Sequence, residues 1–161
     1  MNARSIRIQR HVANLGASDD GISRRAEACL IRYYGNDAIP YLIRACESDN
    51  SVVRYRAVWV LGHTRAAEVF DTIRRLCDDP DERVQYDAIM ALGVLDDDRA
   101  IPYLIELMLL CAPTRPGASA LHRMGPKCVP YLLPYTHHQD EEVRKMVNSH
   151  LEDWTDCKLE S

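Results

Sequence analysis

No stretch of the sequence approaches the roughly 18 consecutive apolar residues that a membrane-spanning helix needs. The first eleven residues, Met1 to His11, carry charges where a secretory leader requires an apolar core. A basic excess is also missing, with 20 Lys and Arg against 24 Asp and Glu, a net charge of −4 and a pI of about 5.8. That balance disfavours a nucleic-acid coat, whose affinity rests on neutralising phosphates. Six cysteines are present, but no two lie closer than 17 residues, so CxxC and other tight zinc spacings are absent. Strand-type alternation is nowhere sustained. What remains is a soluble, cytoplasmic, helical chain with reduced and mostly buried thiols.

Internal repetition dominates what is present. Val53-Arg-Tyr-Arg-Ala-Val-Trp-Val-Leu-Gly62 matches Val84-Gln-Tyr-Asp-Ala-Ile-Met-Ala-Leu-Gly93 at a shift of 31. A leucine recurs as Leu30, Leu61, Leu92, Leu121 and Leu151, and an upstream apolar position as Ile8, Ile39, Phe70, Ile101 and Val129. Two independent positions keeping one period mark a repeat array. Each copy reads as two helices. Val53, Ala57, Val60, Leu61 and Thr64 fall on one face of a 3.6-residue period. Asp19, Asn50, Asp81 and Asp140 stand where an N-cap is needed, and Pro40, Pro102 and Pro130 suit the first turn of the preceding helix. A two-helix unit of this length cannot bury its own apolar face and must stack on its neighbours. The boundaries fall near 5–37, 38–66, 67–98, 99–126 and 127–154, with a polar tail over 155–161, in one domain spanning 1–161 without a linker.

These phrases resemble the short HEAT-like repeat, including the type found in phycobilin lyases. The matching residues are Asn50/Val53/Arg54, Asp81/Val84, Asp140/Val143/Arg144, Leu61-Gly62, Ala91-Leu92-Gly93 and Ala38-Ile39-Pro40. The resemblance implies an all-α, right-handed α-solenoid of about five two-helix repeats, with the second helices lining a concave surface. It also implies that Arg54 and Arg144 pair with acidic residues of adjacent units. One copy departs from the pattern: between Leu110 and Ala118 the chain reads Cys-Ala-Pro-Thr-Arg-Pro-Gly117. The two prolines shorten or delay that second helix, and Thr114 is a substitute cap.

Removing the core stripe leaves Tyr55 and Trp59 four residues apart, and Tyr86 and Met90 in the next copy. Arg24 lies beside them on one side and Arg115 on the other; Arg56 neighbours Tyr55, and His63 follows the helix-ending glycine. The expected site is therefore a groove of Arg24, Tyr55, Arg56, Trp59, His63, Tyr86 and Met90, residue types that bury much area at little entropic cost. Arg24 and Arg56 would orient a partner by pairing with its acidic groups. Charge is uneven too: residues 1–66 carry a balance of +4 and residues 67–161 a balance of −8. That asymmetry leaves an end-to-end homo-oligomer open.

Phosphate-loop, dinucleotide, serine-hydrolase and zincin motifs are all missing. His137-His138 lacks carboxylates at metal spacing, and no histidine precedes a glutamate as in the di-iron hydroxylases of similar repeat. The reading is a non-catalytic interaction scaffold or adaptor that takes a protein or peptide partner in its groove, without cofactor, metal or membrane. Resemblance to the phycobilin lyases implies an alternative, a bilin lyase or chromophore-chaperone subunit, which at this length would need a partner chain. A more remote alternative is a HEAT-like alkylpurine DNA glycosylase, with Trp59, Tyr55, Tyr86, Arg24, Arg56 and Asp87 as its thin counterpart.

Overall fold

A computed structural model describes residues 2–110 and 116–156. Ten α-helices and no strand occur among the described residues. They are α1 (Ala3–Asn14), α2 (Asp20–Cys29), α3 (Ile39–Ala45), α4 (Ser51–Thr64), α5 (Phe70–Leu76), α6 (Glu82–Leu95), α7 (Ala100–Leu110), α8 (Pro116–Met124), α9 (Val129–Leu132) and α10 (Glu141–Asp156). Each odd-numbered helix and its successor form one repeat. The fold is all-α, of the α-solenoid class. None of these helices is long and apolar enough to cross a membrane.

The helix starts follow the local chemistry read above. Asp19 accepts from the amide of Ile22, Asn50 from Val52, Asp81 from Arg83 and Val84, and Asp140 from Glu142. Each satisfies a first-turn donor that has no intrahelical acceptor, an effect of about 1 kcal/mol per cap. Pro40 and Pro130 lie in the first turns of α3 and α9. In the fourth repeat the described second helix, α8, covers Pro116–Met124, 9 residues against 14 in α4 and α6. Thr114 and Arg115 lie outside the described residues, as do Cys111 and the tail beyond Asp156.

The chain packs as two compact units, Met1–Asp97 and Asp98–Ser161. In the first, α4 packs on α3 and α6, and α1 on α2 and α3. In the second, α7 packs on α8 and α9. Of the recurring leucines, Leu30, Leu61, Leu92 and Leu121 are fully buried; Leu151, in the last described helix, is only half-buried. Val53 and Thr64 are likewise half-buried, whereas Val58, outside the expected stripe, is fully buried. A helix with neighbours on both sides needs more than one apolar face, which widens the stripe. Cys29, Cys46, Cys77 and Cys128 are free thiols, and burial pushes the Cys46 pKa up to about 12.

Two devices fix the spacing of the repeats. Helices α4 and α6 approach closely where Gly62 faces the fully buried Ala91. A Cβ placed on Gly62 would come within 2.8 Å of the Ala91 carbonyl oxygen and 2.9 Å of its Cβ. The second device is polar. Arg54 forks onto Asp79, Nε to Oδ2 at 2.9 Å and Nη2 to Oδ1 at 2.8 Å, with both side chains largely shielded from water. Its Nη1 also donates to the carbonyl of Ser48, six residues back. Gln85 and Arg144 occupy the same place in their repeats and make the same bond, to Asp79 O and His138 O, each at 2.6 Å. Arg54 thus makes the inter-repeat pair that the resemblance implies. Arg144 differs: the bonds described for it go to the His138 and Gln139 carbonyls, and no described repeat follows it.

Two outcomes test these devices. Gly62→Ala should destabilise the fold by about 1–3 kcal/mol in urea denaturation, because the new methyl meets backbone rather than a yielding side chain. Burial works against ionised Asp79, but the Arg54 fork and the Asp81 amide outweigh it and hold its pKa below the ordinary 3.8. A depressed carboxylate stabilises above its unfolded pKa, and that stability is lost as pH falls through the folded value. Asp79→Asn should therefore cost about 3 kcal/mol at pH 7 and show a shallower loss of stability than wild type below pH 4.

Candidate functional site

The second helices of the first three repeats, α2, α4 and α6, together wall a cavity of about 510 Å³ within the first unit. Arg24, Tyr55, Arg56, Trp59, Tyr86 and Met90 all line it. The 31-residue period explains the convergence. Arg24, Tyr55 and Tyr86 are equivalent positions on successive helices, as are Trp59 and Met90. Stacking therefore aligns them in two rows. His63 stands one turn beyond: its ring meets Trp59 edge-on at 4.6 Å, and its Nδ1 lies 2.9 Å from the Trp59 carbonyl oxygen. It buttresses Trp59 and is not part of the wall.

Four charged residues complete the lining, namely Asp20, Glu27, Arg83 and Asp87. They reorganise the expected electrostatics. Arg56, only 11% exposed, donates from Nη1 to Glu27 at 2.5 Å and from Nη2 to Asp20 at 2.7 Å, tying α4 to α2. Burial opposes its charge, but hydrogen bonds to Glu27 and Asp20 prevail and raise its pKa above the ordinary arginine value. Its buried Nε has no acceptor among the described residues. Arg56 therefore does not present an open guanidinium to a partner, contrary to the role read from sequence. Its two acceptors already occupy it.

The open cations are Arg24 and Arg83. Each uses Nε to hold an aspartate four residues away, Asp20 at 2.6 Å and Asp87 at 2.7 Å, while its side chain stays 75% or 65% exposed. The hydrogen bond from Arg56, then the charges of Arg24 and Arg56, hold the Asp20 carboxyl below the usual carboxylate range. Arg83 also lies over the Tyr55 ring, 4.8 Å from its centroid, with Arg56 at 5.4 Å. Such contacts contribute about 0.5–1 kcal/mol each at exposed sites and hold the tyrosine in place. The result is an aromatic floor of Tyr55 and Trp59, flanked by Tyr86 and Met90, between two outward cations on α2 and α6.

Sequence reasoning missed Asp20, Glu27 and Arg83. For Glu27 a signal existed: its equivalents one and two repeats on are Val58 and Ile89, both buried. An acid at a core position of the repeat demands a cation in reach, and Arg56 is that cation. For Asp20 and Arg83 the only trace is the i,i+4 spacing to Arg24 and Asp87, common to many solvent-facing pairs.

Residues 39–115 match the family model for HEAT repeats. That segment carries HEAT repeats. Among solved structures it is similar to a chain in the complex of CpcE and CpcF of phycocyanin lyase from Nostoc sp. PCC7120. That likeness has a TM-score of 0.58 at 21% identity, covering 92% of this chain and 65% of that one. The chain thus spans just under two thirds of its neighbour's length, and at this identity the likeness speaks for the fold alone. An engineered protein is also similar, with a TM-score of 0.48 at 18% identity over 91% of this chain and 77% of that one. No curated protein matches the sequence. The HEAT match begins at α3, so the α2 wall of the cavity, with Asp20, Arg24 and Glu27, lies outside the matched repeats.

Arg56→Gln should cost about 1–3 kcal/mol of stability in chemical denaturation, since it strands Glu27, itself only 17% exposed. Arg56→Lys should recover little of that loss. A single ammonium cannot fork to two carboxylates on separate turns of α2.

Proposed function

We propose that this chain is a non-catalytic interaction module that binds an extended or helical segment of a partner protein in the α2–α4–α6 cavity. The observation that carries this reading is the convergence of Tyr55, Trp59, Tyr86 and Met90 from two helices onto one cavity of about 510 Å³. Tyr86 is 47% exposed, so part of this apolar area is available for burial by a partner. Aromatic and methionine side chains around a recess, rimmed by arginine, have the composition of a binding hot spot. Arg24 and Arg83 supply the polar rim: with Nε committed to an aspartate, each directs its exposed guanidinium toward acidic groups flanking the docked residue.

The lining also supports a second reading, a tetrapyrrole-handling subunit. The structural neighbour is a chain of a phycocyanin lyase complex, and a cavity of this volume lies within the range of small-molecule sites. In this reading Arg24 and Arg83 would pair with carboxylates of the pigment, and a second chain would complete the assembly.

One experiment separates the two. Wild type and Trp59→Ala/Tyr86→Ala are used as baits in host lysate, and the recovered partner is then titrated against both. The double variant should keep its far-UV circular dichroism and lose roughly 2–4 kcal/mol of partner affinity, a hot-spot magnitude. Equal capture by both baits would remove the groove from the account. Visible absorbance acquired by wild type on incubation with bilin, and not by the variant, would instead favour the pigment reading.

A further inference from the structure

A second cavity, of about 850 Å³, lies between α1 and α2 and shares no lining residue with the first. Arg7, Arg10, His11 and Arg25 line it. These four are brought together by helix geometry: Arg7, Arg10 and His11 recur at three- and four-residue intervals along α1, and Arg25 projects from the facing α2. The α1 sequence, ARSIRIQRHVAN, contains no acid to compensate them. Asp19 is the one carboxylate in the lining, and it is engaged as the cap of α2, accepting from the Ile22 amide.

Most other arginines of the unit are paired, with Arg32, Arg44 and Arg65 the exceptions among the described residues; Arg7, Arg10 and Arg25 differ in lining one recess together. Arg4, Arg24, Arg54, Arg56, Arg74 and Arg83 each hold a carboxylate within 2.8 Å. No carboxylate pairs with Arg7, Arg10 or Arg25 among the described residues. Three like charges gathered around one recess repel one another, and the arrangement becomes favourable once an anion enters. The first turn of α2 adds to the field, because Gly21 and Ile22 also line the recess and the positive end of the helix dipole lies there.

We propose that the α1–α2 cavity is a binding site for a small, multiply charged phosphate compound. Three guanidinium groups around one recess call for several negative charges in a small volume, and a phosphate chain supplies that density. The planar fork of arginine matches two phosphate oxygens at once, and residues 1–66 contain ten arginines and no lysine. Ile22, 48% exposed at the wall, offers apolar contact to whatever the phosphates carry. The site stands independently of the partner groove, since Trp59 and its neighbours take no part in it.

Isothermal titration with inorganic tripolyphosphate and with ATP, each at 50 and 200 mM salt, tests the assignment. Saturable 1:1 binding is expected, weaker at the higher salt. Arg7→Gln/Arg10→Gln/Arg25→Gln should bind at least tenfold more weakly with unchanged circular dichroism, and Arg44→Gln/Arg123→Gln should bind like wild type. Ile22→Glu keeps every arginine but places a carboxylate at the wall, and it too should weaken binding. ATP binding more tightly than tripolyphosphate would identify a nucleotide site, and equal affinity a site for the phosphate chain itself. Absence of saturable binding to either probe would overturn the proposal, as would equal affinity of wild type and the triple arginine variant. Capture of a single-stranded oligonucleotide without tripolyphosphate binding would overturn it in favour of a nucleic-acid surface.

Discussion

The close approach of α4 to α6 at Gly62 is the constraint on which the rest of the first unit depends. A side chain at that position would collide with the Ala91 backbone, so the seam exists only because the residue facing it has none. Ala91, fully buried opposite Gly62, keeps the contact thin there. Tyr55, Trp59, Tyr86 and Met90 meet on the side where α2 completes a cavity.

Arginine serves the fold in two distinct ways, and the distinction governs what the site can do. Arg54 and Arg56 are shielded and each is held by carboxylates; their charge is consumed in joining neighbouring repeats. Such pairs bring little net stability, because desolvation offsets much of their attraction, yet losing one partner is costly. Arg24, Arg83, Arg7, Arg10 and Arg25 are different. They stand at cavity walls with much of each guanidinium in water, where the field they make acts on approaching anions. The overall charge of −4 conceals this separation.

Both proposed sites follow from the arrangement. The α2–α4–α6 recess combines apolar floor with cationic rim, which suits a partner side chain between acidic neighbours. The α1–α2 recess lacks the aromatic floor and has an unbalanced positive wall, which suits a compact anion. Helix α2 contributes to both through different faces, with Arg24 on one and Arg25 on the other. Consecutive residues on a helix point about 100° apart, so one short helix can serve two ligands without sharing a contact.

The repeat was legible from the sequence because it rests on local rules. Caps at Asp19, Asn50, Asp81 and Asp140, prolines in first turns, and a leucine every 31 or so residues are each decided by neighbours along the chain. The repeat period also carried Arg24, Tyr55 and Tyr86 into one row and Trp59 and Met90 into another, since equivalent positions on stacked helices must align. What sequence could not decide was which of the charged residues neutralise each other. Arg56 and Arg24 look alike as letters, and only the distance across the α2–α4 interface consigns Arg56 to Glu27 and Asp20. Phase along one helix is a local property, while the pairing of charges depends on separations between helices, and these exist only once the repeats have stacked.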